Sequence, residues 1–203
     1  MRKGAFITLY GINNIGKSTH AKRLVERLNK EGYDAVYIKY PIYDLQPTGP
    51  QINEILRSDG EQQVSEKDLQ MLFRENRRDF EPQLQEMLSM GKIVVAEDYT
   101  QTGIAWGTAK GLDEVWMEDL NRGLLEEDFS ILLVGERSLN AVEPLHRHES
   151  NEDLIRHVDE ILRQRAKDGH WKVVHLQRHI NDTAKLIWDA VEKFLHEFGA
   201  RSA

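Results

Sequence analysis

The chain has 203 residues, of which 40% are hydrophobic and 30% charged, and this suits one globular domain with a full core. Its net charge of −7 gives no general attraction to nucleic acid, and its lack of cysteine excludes disulfides and thiolate metal sites. No stretch is long and apolar enough for a membrane helix, and the N-terminal apolar run is too short for a signal peptide. We therefore expect a cytoplasmic protein that binds neither nucleic acid nor membranes.

A glycine-rich motif follows the first apolar run, residues 5–10, which has the composition of a buried strand. The motif fits G-x-x-x-x-G-K-[ST] and precedes a segment with helical periodicity, an order typical of phosphate-binding loops. Its N–H groups and the helix dipole would bind the phosphates of ATP or GTP. Lys17 would contact the β- and γ-phosphates, and the Ser18 hydroxyl would bind Mg²⁺. The predicted nucleotide-binding residues are Gly11, Asn13, Asn14, Ile15, Gly16, Lys17, Ser18 and Thr19.

The rest of the chain alternates between short β-rich runs and segments with helical periodicity. Further strands are predicted at residues 34–40, 93–96, 129–134 and 171–176. Further helices are predicted at residues 51–58, 65–80, 82–90, 100–110, 114–122, 151–166 and 183–198, with a loop at 42–50. This alternation predicts an α/β protein with a three-layer α/β/α P-loop NTPase fold and a central parallel sheet. In such folds ligands bind at the carboxyl ends of the strands.

Two acidic residues, Glu97 and Asp98, end the apolar run at 93–96. A carboxylate at this position in a phosphate-loop fold can hold Mg²⁺ or orient the acceptor, so Glu97 is a candidate catalytic residue and, with Ser18, a candidate metal ligand. The alternative is that both acids are ordinary solvated loop residues. The strand-end position favours a role for at least one of them.

A basic segment precedes the helix predicted at 151–166, and residues 136–152 are the predicted lid over the phosphates. Arg147 is the candidate lid arginine, which would stabilise charge on the transferred phosphoryl group. The alternative that Arg147 is an ordinary surface residue of a soluble protein stays open. The neighbouring histidines provide no metal-ligand set and are read as surface residues.

Phe73 and Arg77 are four residues apart and therefore share one face of a predicted helix. An aromatic ring that stacks on a base, next to a guanidinium group, would form an acceptor pocket. A plain core position is the alternative for Phe73.

Taken together, these motifs resemble the thymidylate kinase family of nucleoside monophosphate kinases. The resemblance covers nearly the whole chain. It rests on the phosphate loop, on Leu72-Phe73-Arg74-Glu75-Asn76-Arg77, on residues 94–106 (VVAEDYTQTGIAW) and on His146-Arg147-His148-Glu149. It implies a single kinase domain over residues 1–203, ATP and Mg²⁺ as cofactors, and a homodimer. It also implies that Phe73 stacks on thymine, and that Arg77, Tyr99 and Gln101 bind the acceptor.

The sequence departs from the family pattern at two arginines. The family's Asp-Arg pair falls on Glu97-Asp98, and its Phe-Pro-x-Arg motif falls on Tyr40-Pro41-Ile42-Tyr43. Asp98 and Tyr43 therefore occupy acceptor-site positions but lack the positive charge that a monophosphate needs. Arg77, Lys39 or a lid residue is the candidate replacement.

We therefore predict ATP-dependent phosphoryl transfer to a nucleoside monophosphate, with dTMP as the expected acceptor. A deoxynucleoside kinase is the first alternative, because Glu97 could act as a base toward an unphosphorylated hydroxyl. A nucleotide-binding regulator without efficient transfer is the second.

Overall fold

The computed structural model describes residues 4–57, 64–137 and 152–202, with side chains to residue 199. Within these ranges it has five strands and seven helices. The strands are β1 (Phe6–Tyr10), β2 (Ala35–Lys39), β3 (Ile93–Glu97), β4 (Phe129–Val134) and β5 (Lys172–His175). The helices are α1 (Lys17–Lys30), α2 (Thr48–Arg57), α3 (Glu66–Ser89), α4 (Thr100–Ala109), α5 (Glu114–Asn121), α6 (Glu152–Asp168) and α7 (Ile180–Ser202).

The five strands form one parallel sheet in the order β2-β3-β1-β4-β5. The central strands β1 and β3 are buried along their whole length, as expected for apolar strands covered on both faces. Helices α1 and α7 pack together, while α3, α4 and α6 form a second packed row. The predicted α/β/α fold with a central parallel sheet is confirmed.

Strand register brings the carboxyl ends of three strands to one edge of the sheet. Glu97 on β3 lies opposite Leu9 on β1 and Lys39 on β2. The phosphate loop starts directly after β1, so it lies at the same edge. The candidate chemistry is therefore concentrated where parallel α/β folds bind ligands.

One long helix, α3, replaces the two helices predicted on either side of Pro82. The predicted start is correct, since the Ser65 hydroxyl accepts a hydrogen bond of 3.1 Å from the Asp68 N–H. Proline at residue 82 removes one backbone hydrogen bond but does not end the helix. Leu69 is buried before the proline, and Leu84 and Leu88 are buried after it. We infer that burial at both ends of the helix outweighs the lost bond.

A further boundary differs from the sequence analysis. Helix α2 begins at Thr48, inside the predicted loop at 42–50, because Thr48 is buried and accepts a hydrogen bond of 3.0 Å from the Asn76 side chain. The predicted lid at 136–152 lies almost entirely outside the described residues, and so does Arg147. No helix in the described part of the chain is long and apolar enough to cross a membrane.

Candidate active site

The phosphate loop has the backbone conformation that its glycines predict. Gly11 has φ 149°, and a Cβ there would lie 3.0 Å from the Leu133 carbonyl oxygen, so no larger residue fits. Gly16 has φ 93° and directly precedes α1. The N–H groups at the start of α1 therefore lie beside the loop, which is the arrangement that binds anions.

Lys17 is buried at the base of this loop, with 5% of its surface exposed. Its ammonium group donates hydrogen bonds of 2.8 Å to the Gly11 carbonyl and 3.0 Å to the Ile12 carbonyl. The Nζ atom is also 3.7 Å from Asp98 Oδ1. A positive charge is thus held between the loop and the end of β3.

The Glu97 carboxylate is surrounded by hydrogen-bond donors and positive charge. Ser18 Oγ donates a 2.8 Å hydrogen bond to its Oε1, and the Tyr37 hydroxyl donates to its Oε2. Lys39 Nζ lies 3.3 Å from Oε1. Burial on its own raises the pKa of Glu97, but Lys39, Lys17 and the two hydroxyl donors hold it below its usual value. Glu97 is therefore ionised, and it lies beside Ser18, its predicted partner at the metal site.

Asp98 is in a different environment although it is the next residue. Its backbone has φ 62°, and its Oδ1 accepts a 2.7 Å hydrogen bond from Thr102 Oγ1. Burial raises the pKa of Asp98, and the nearby Glu97 charge adds to this rise, while Lys17 and Thr102 offset only part of it. The position where the family has an arginine is therefore occupied by a largely buried carboxyl group.

A single cavity of about 470 Å³ runs from the phosphate loop to α3. Three predicted acceptor residues line its far end together, Phe73, Arg77 and Tyr43, and the predicted acceptor-site residue Asp98 also lines the cavity. Phe73 is only partly buried, packs against a small core cluster and also lines the cavity, so both predictions for this residue stay open. Tyr99 also lines the cavity but is fully buried against Phe6 and Tyr40.

The Arg77 side chain is buried, although arginine is seldom found inside a protein. Its guanidinium group donates a 3.1 Å hydrogen bond from NH1 to Asn121 Oδ1, while Nε has no partner among the described residues. Burial lowers the pKa of Arg77, and nearby tyrosines and Asp98 offset part of the effect. A buried guanidinium with unused donor capacity is suited to a polar ligand.

Gln101 is not brought into this cavity. Its Oε1 accepts a 2.6 Å hydrogen bond from Arg165 Nε, and it lines a separate cavity beside α6. Because Gln101 lies on the side of α4 that faces α6, its side chain points away from Phe73 and Arg77. The resemblance alone suggested Gln101 as an acceptor residue, and the geometry does not support that role.

The sequence analysis missed several residues that line or shape the cavity. Asn76 accepts a 2.7 Å hydrogen bond from the Ile42 N–H and donates one of 3.0 Å to its carbonyl, which fixes the segment carrying Tyr43 against α3. Gln70 lines the cavity and is 1% exposed. It is three residues before Phe73 and seven before Arg77, so helical periodicity could have identified it. Other missed lining residues are Arg57, Gly103 and Trp106, and Lys39, which the sequence indicated as a candidate phosphate ligand, lines the cavity as well.

Comparisons with known proteins identify the family. The family model for thymidylate kinase matches residues 9–187, which is most of the chain. The chain belongs to the thymidylate kinase family. A thymidylate kinase from Dictyostelium discoideum is 24% identical over 190 residues, which cover 92% of this chain and 84% of that protein.

Two further comparisons support the same family and fold. A relative from Invertebrate iridescent virus 6 is 33% identical over 134 residues, 66% of this chain but only 62% of that protein, so less than two thirds of the viral relative is spanned. The solved structure of thymidylate kinase from Candida albicans has a TM-score of 0.79 and 22% sequence identity. It covers 95% of this chain and 93% of that one, and at this identity it supports the fold alone.

The family model confirms the predicted resemblance to the thymidylate kinase family. The deoxynucleoside kinase and the non-catalytic regulator are not favoured by any of these relatives. The two replaced arginines are thus a local departure inside a thymidylate kinase framework.

Proposed function

We propose that this chain transfers the γ-phosphoryl group of ATP to dTMP and forms dTDP. The observation that carries the proposal is the continuous cavity, which has a phosphate-binding loop at one end and an aromatic ring beside a buried guanidinium at the other. Phosphoryl transfer depends mainly on positioning two substrates and on placing positive charge near the transferred group. A regulatory switch would need only the first end of this cavity.

At the ATP end, the loop N–H groups and the start of α1 bind phosphate oxygens. Lys17 supplies charge at the β- and γ-phosphates. Its present hydrogen bonds are to two carbonyls of the same loop, so the side chain already lies across the phosphate site. The lid arginine, Arg147, stays a prediction from the sequence and would add charge from the opposite side.

The residues present fit a bound Mg²⁺. Ser18 Oγ and Glu97 Oε1 are 2.8 Å apart, and hydroxyl and carboxylate oxygens are ligands that Mg²⁺ accepts alongside phosphate oxygens and water. When bound, Mg²⁺ would neutralise charge on the phosphates during transfer. Glu97 is held by Tyr37 and Lys39, which fixes the direction of its carboxylate before any substrate arrives.

At the acceptor end, Phe73 offers a ring face to the base and Arg77 offers hydrogen-bond donors. The missing family arginines require another cation for the acceptor phosphate. Lys39 is suited to this role because it lines the cavity, is about half exposed and lies at the strand end beside Glu97. Burial alone would lower its pKa, but Glu97 and Asp98 raise it, so Lys39 stays protonated.

Three broader statements are part of the same proposal. We infer one kinase domain over residues 1–203 with a lid at 136–152, a homodimer, and a cytoplasmic location. The first two rest on the resemblance to the thymidylate kinase family. The third rests on the sequence analysis.

A coupled ADP-release assay with ATP and Mg²⁺ tests the proposal against nucleosides and nucleoside monophosphates. We expect turnover with dTMP and little with thymidine. Lys17→Ala should lower turnover about a hundredfold or more while the circular dichroism spectrum is unchanged. Turnover of thymidine but not dTMP would contradict the proposal and support a nucleoside kinase. Near-normal activity of Lys17→Ala would contradict the role of the phosphate loop.

A further inference from the structure

The last residue of β1 is held by a side chain from a distant part of the sequence. The Tyr10 hydroxyl donates a 2.5 Å hydrogen bond to Glu127 Oε1, and the two residues are 117 apart in sequence. Tyr10 is fully buried, and its ring stacks on Trp171 with 4.8 Å between the ring centroids. The ring and the hydroxyl of Tyr10 are therefore both held in place.

The segment that carries Glu127 is itself attached to β1. Asp128 Oδ2 accepts a 2.7 Å hydrogen bond from the Phe6 N–H, and the Asp128 N–H donates a 2.8 Å bond to the Phe6 carbonyl. Ser130 Oγ donates a hydrogen bond of 3.3 Å to Glu127 Oε1, which restricts the carboxylate further. Residues 127 and 128 therefore contact β1 at its first and its last residue.

The Glu127 carboxylate depends on the hydroxyl groups that it contacts. Burial raises the pKa of Glu127, while hydrogen bonds from Tyr10 and Ser130 lower it. The Tyr10 hydroxyl thus favours the ionised form of this carboxyl group. A hydroxyl that donates to a carboxylate makes one of the stronger hydrogen bonds found in proteins.

The position of Tyr10 affects the phosphate loop because Gly11 is the next residue. The Gly11 carbonyl accepts a 2.8 Å hydrogen bond from Lys17 Nζ. Since the peptide bond is planar and rigid, a displacement of Tyr10 also displaces Gly11. A shift at the end of β1 would therefore move an atom that holds the Lys17 ammonium group.

We propose that Glu127 is a positioning residue for ATP binding, because it holds the Tyr10 hydroxyl and thereby the end of β1. The Gly11 carbonyl then keeps Lys17 directed at the phosphates. This rests on the proposed phosphoryl transfer from ATP and deepens it. Glu127 lines the cavity beside α6 and is not among the residues that line the nucleotide cavity, so it acts through Tyr10 and not by contact with a substrate.

Two substitutions test this role by removing the same hydrogen bond from its two sides. Glu127→Met removes the acceptor and Tyr10→Phe removes the donor, while both keep most of the side-chain volume. Each should raise KM for ATP about threefold to thirtyfold, and KM for dTMP should stay within about twofold of the wild type. The double variant should be no worse than either single one, because both substitutions remove one shared bond. Steady-state kinetics with each substrate varied in turn, well below the Tm of every variant, measures these values.

Matched controls separate this role from a purely structural one. Glu126→Met and Tyr33→Phe change an exposed glutamate and an exposed tyrosine, and neither should alter KM for ATP. A purely structural role would lower the Tm of Glu127→Met and Tyr10→Phe without changing KM for ATP, and that result would overturn the proposal. Additive effects in the double variant, or equal increases in KM for ATP and dTMP, would overturn it as well.

The affinity for ATP, measured by calorimetry, distinguishes this proposal from the proposed function. A wild-type protein that binds ATP but transfers no phosphoryl group to dTMP would contradict the proposed function alone. The role of Glu127 would then be supported if both variants bound ATP about threefold to thirtyfold more weakly. It would be overturned if both variants bound ATP as tightly as the wild type.

Discussion

Glu97 and Asp98 are consecutive carboxyl groups at the end of β3, and their pKa values shift in opposite directions. Glu97 receives two hydroxyl donors and a nearby lysine, while Asp98 receives one hydroxyl in a buried setting. Glu97 can therefore serve as a permanent negative charge at the proposed Mg²⁺ site. Asp98 is held at a cost in stability, because its ionised form is less favourable in the folded state than in water.

Asp98→Asn tests that cost through the pH dependence of stability. An acid whose pKa is raised on folding binds its proton more tightly in the folded state. Its contribution to the free energy of unfolding therefore falls as the pH rises from the pKa of the unfolded state, about 3.9, through the higher pKa of the folded state. We expect Asp98→Asn to be more stable than the wild type at neutral pH, with the gap closing toward acid pH. Urea denaturation of both proteins at several pH values measures this difference in the free energy of unfolding. A gap that does not change with pH would contradict the assignment.

Lys39→Met tests whether the Lys39 ammonium group binds the phosphate of the acceptor nucleotide. Loss of the ammonium group should raise KM for dTMP about tenfold or more, since a charge-assisted hydrogen bond to phosphate is lost, while KM for ATP changes little. Lys92→Met is the matched control, because Lys92 forms a 2.6 Å ion pair with Asp34 at the opposite end of β3. Equal effects of the two substitutions on KM for dTMP would exclude Lys39 from the site.

At the scale of elements, α3 and α4 both line the end of the cavity that we propose as the acceptor pocket. The sequence pattern predicted both helices, and the spacing of Phe73 and Arg77 predicted their common face. It did not predict that α4 would approach α3 through Gly103, because a glycine gives no periodic signal. For a related reason the sequence did not show that Gln101 lies beside Arg165: which side of α4 faces α3 depends on tertiary packing against α6.

Gly103→Ala tests this close approach. The added Cβ would lie 2.7 Å from Arg77 NH2 and 3.3 Å from Gln70 Oε1, so the guanidinium must move. We expect KM for dTMP to rise about tenfold to a hundredfold, because small displacements of positioning groups are costly. Gly199→Ala is the control, since a Cβ at that helical glycine meets nothing within 4 Å. An unchanged KM in Gly103→Ala would show that the contact does not position Arg77.

Over the whole molecule, local signals predicted the strands, the helices and the phosphate loop, because apolar periodicity and the glycine spacing are properties of short segments. Pairings between distant segments could not be predicted in the same way. The Ser18–Glu97 hydrogen bond joins residues 79 apart in sequence, and the Arg77–Asn121 bond joins residues 44 apart. Such contacts depend on strand order and helix packing. The sequence pattern predicts the fold class but not these individual pairings.

A substitution at one end of the cavity should weaken binding of the ligand at that end only. The increase in Tm on adding ATP or dTMP tests this for the whole chain. A ligand at about a hundred times its Kd adds about 2.7 kcal/mol to the free energy of unfolding, or about 5–10 °C in Tm for a chain of this size. Lys17→Ala should lose the Tm increase with ATP but keep that with dTMP. Arg77→Met should do the reverse, because its charge lies at the acceptor end. Loss of both increases in either variant would show that the two ends form one coupled site, since each substitution would then have disturbed binding beyond its own contacts.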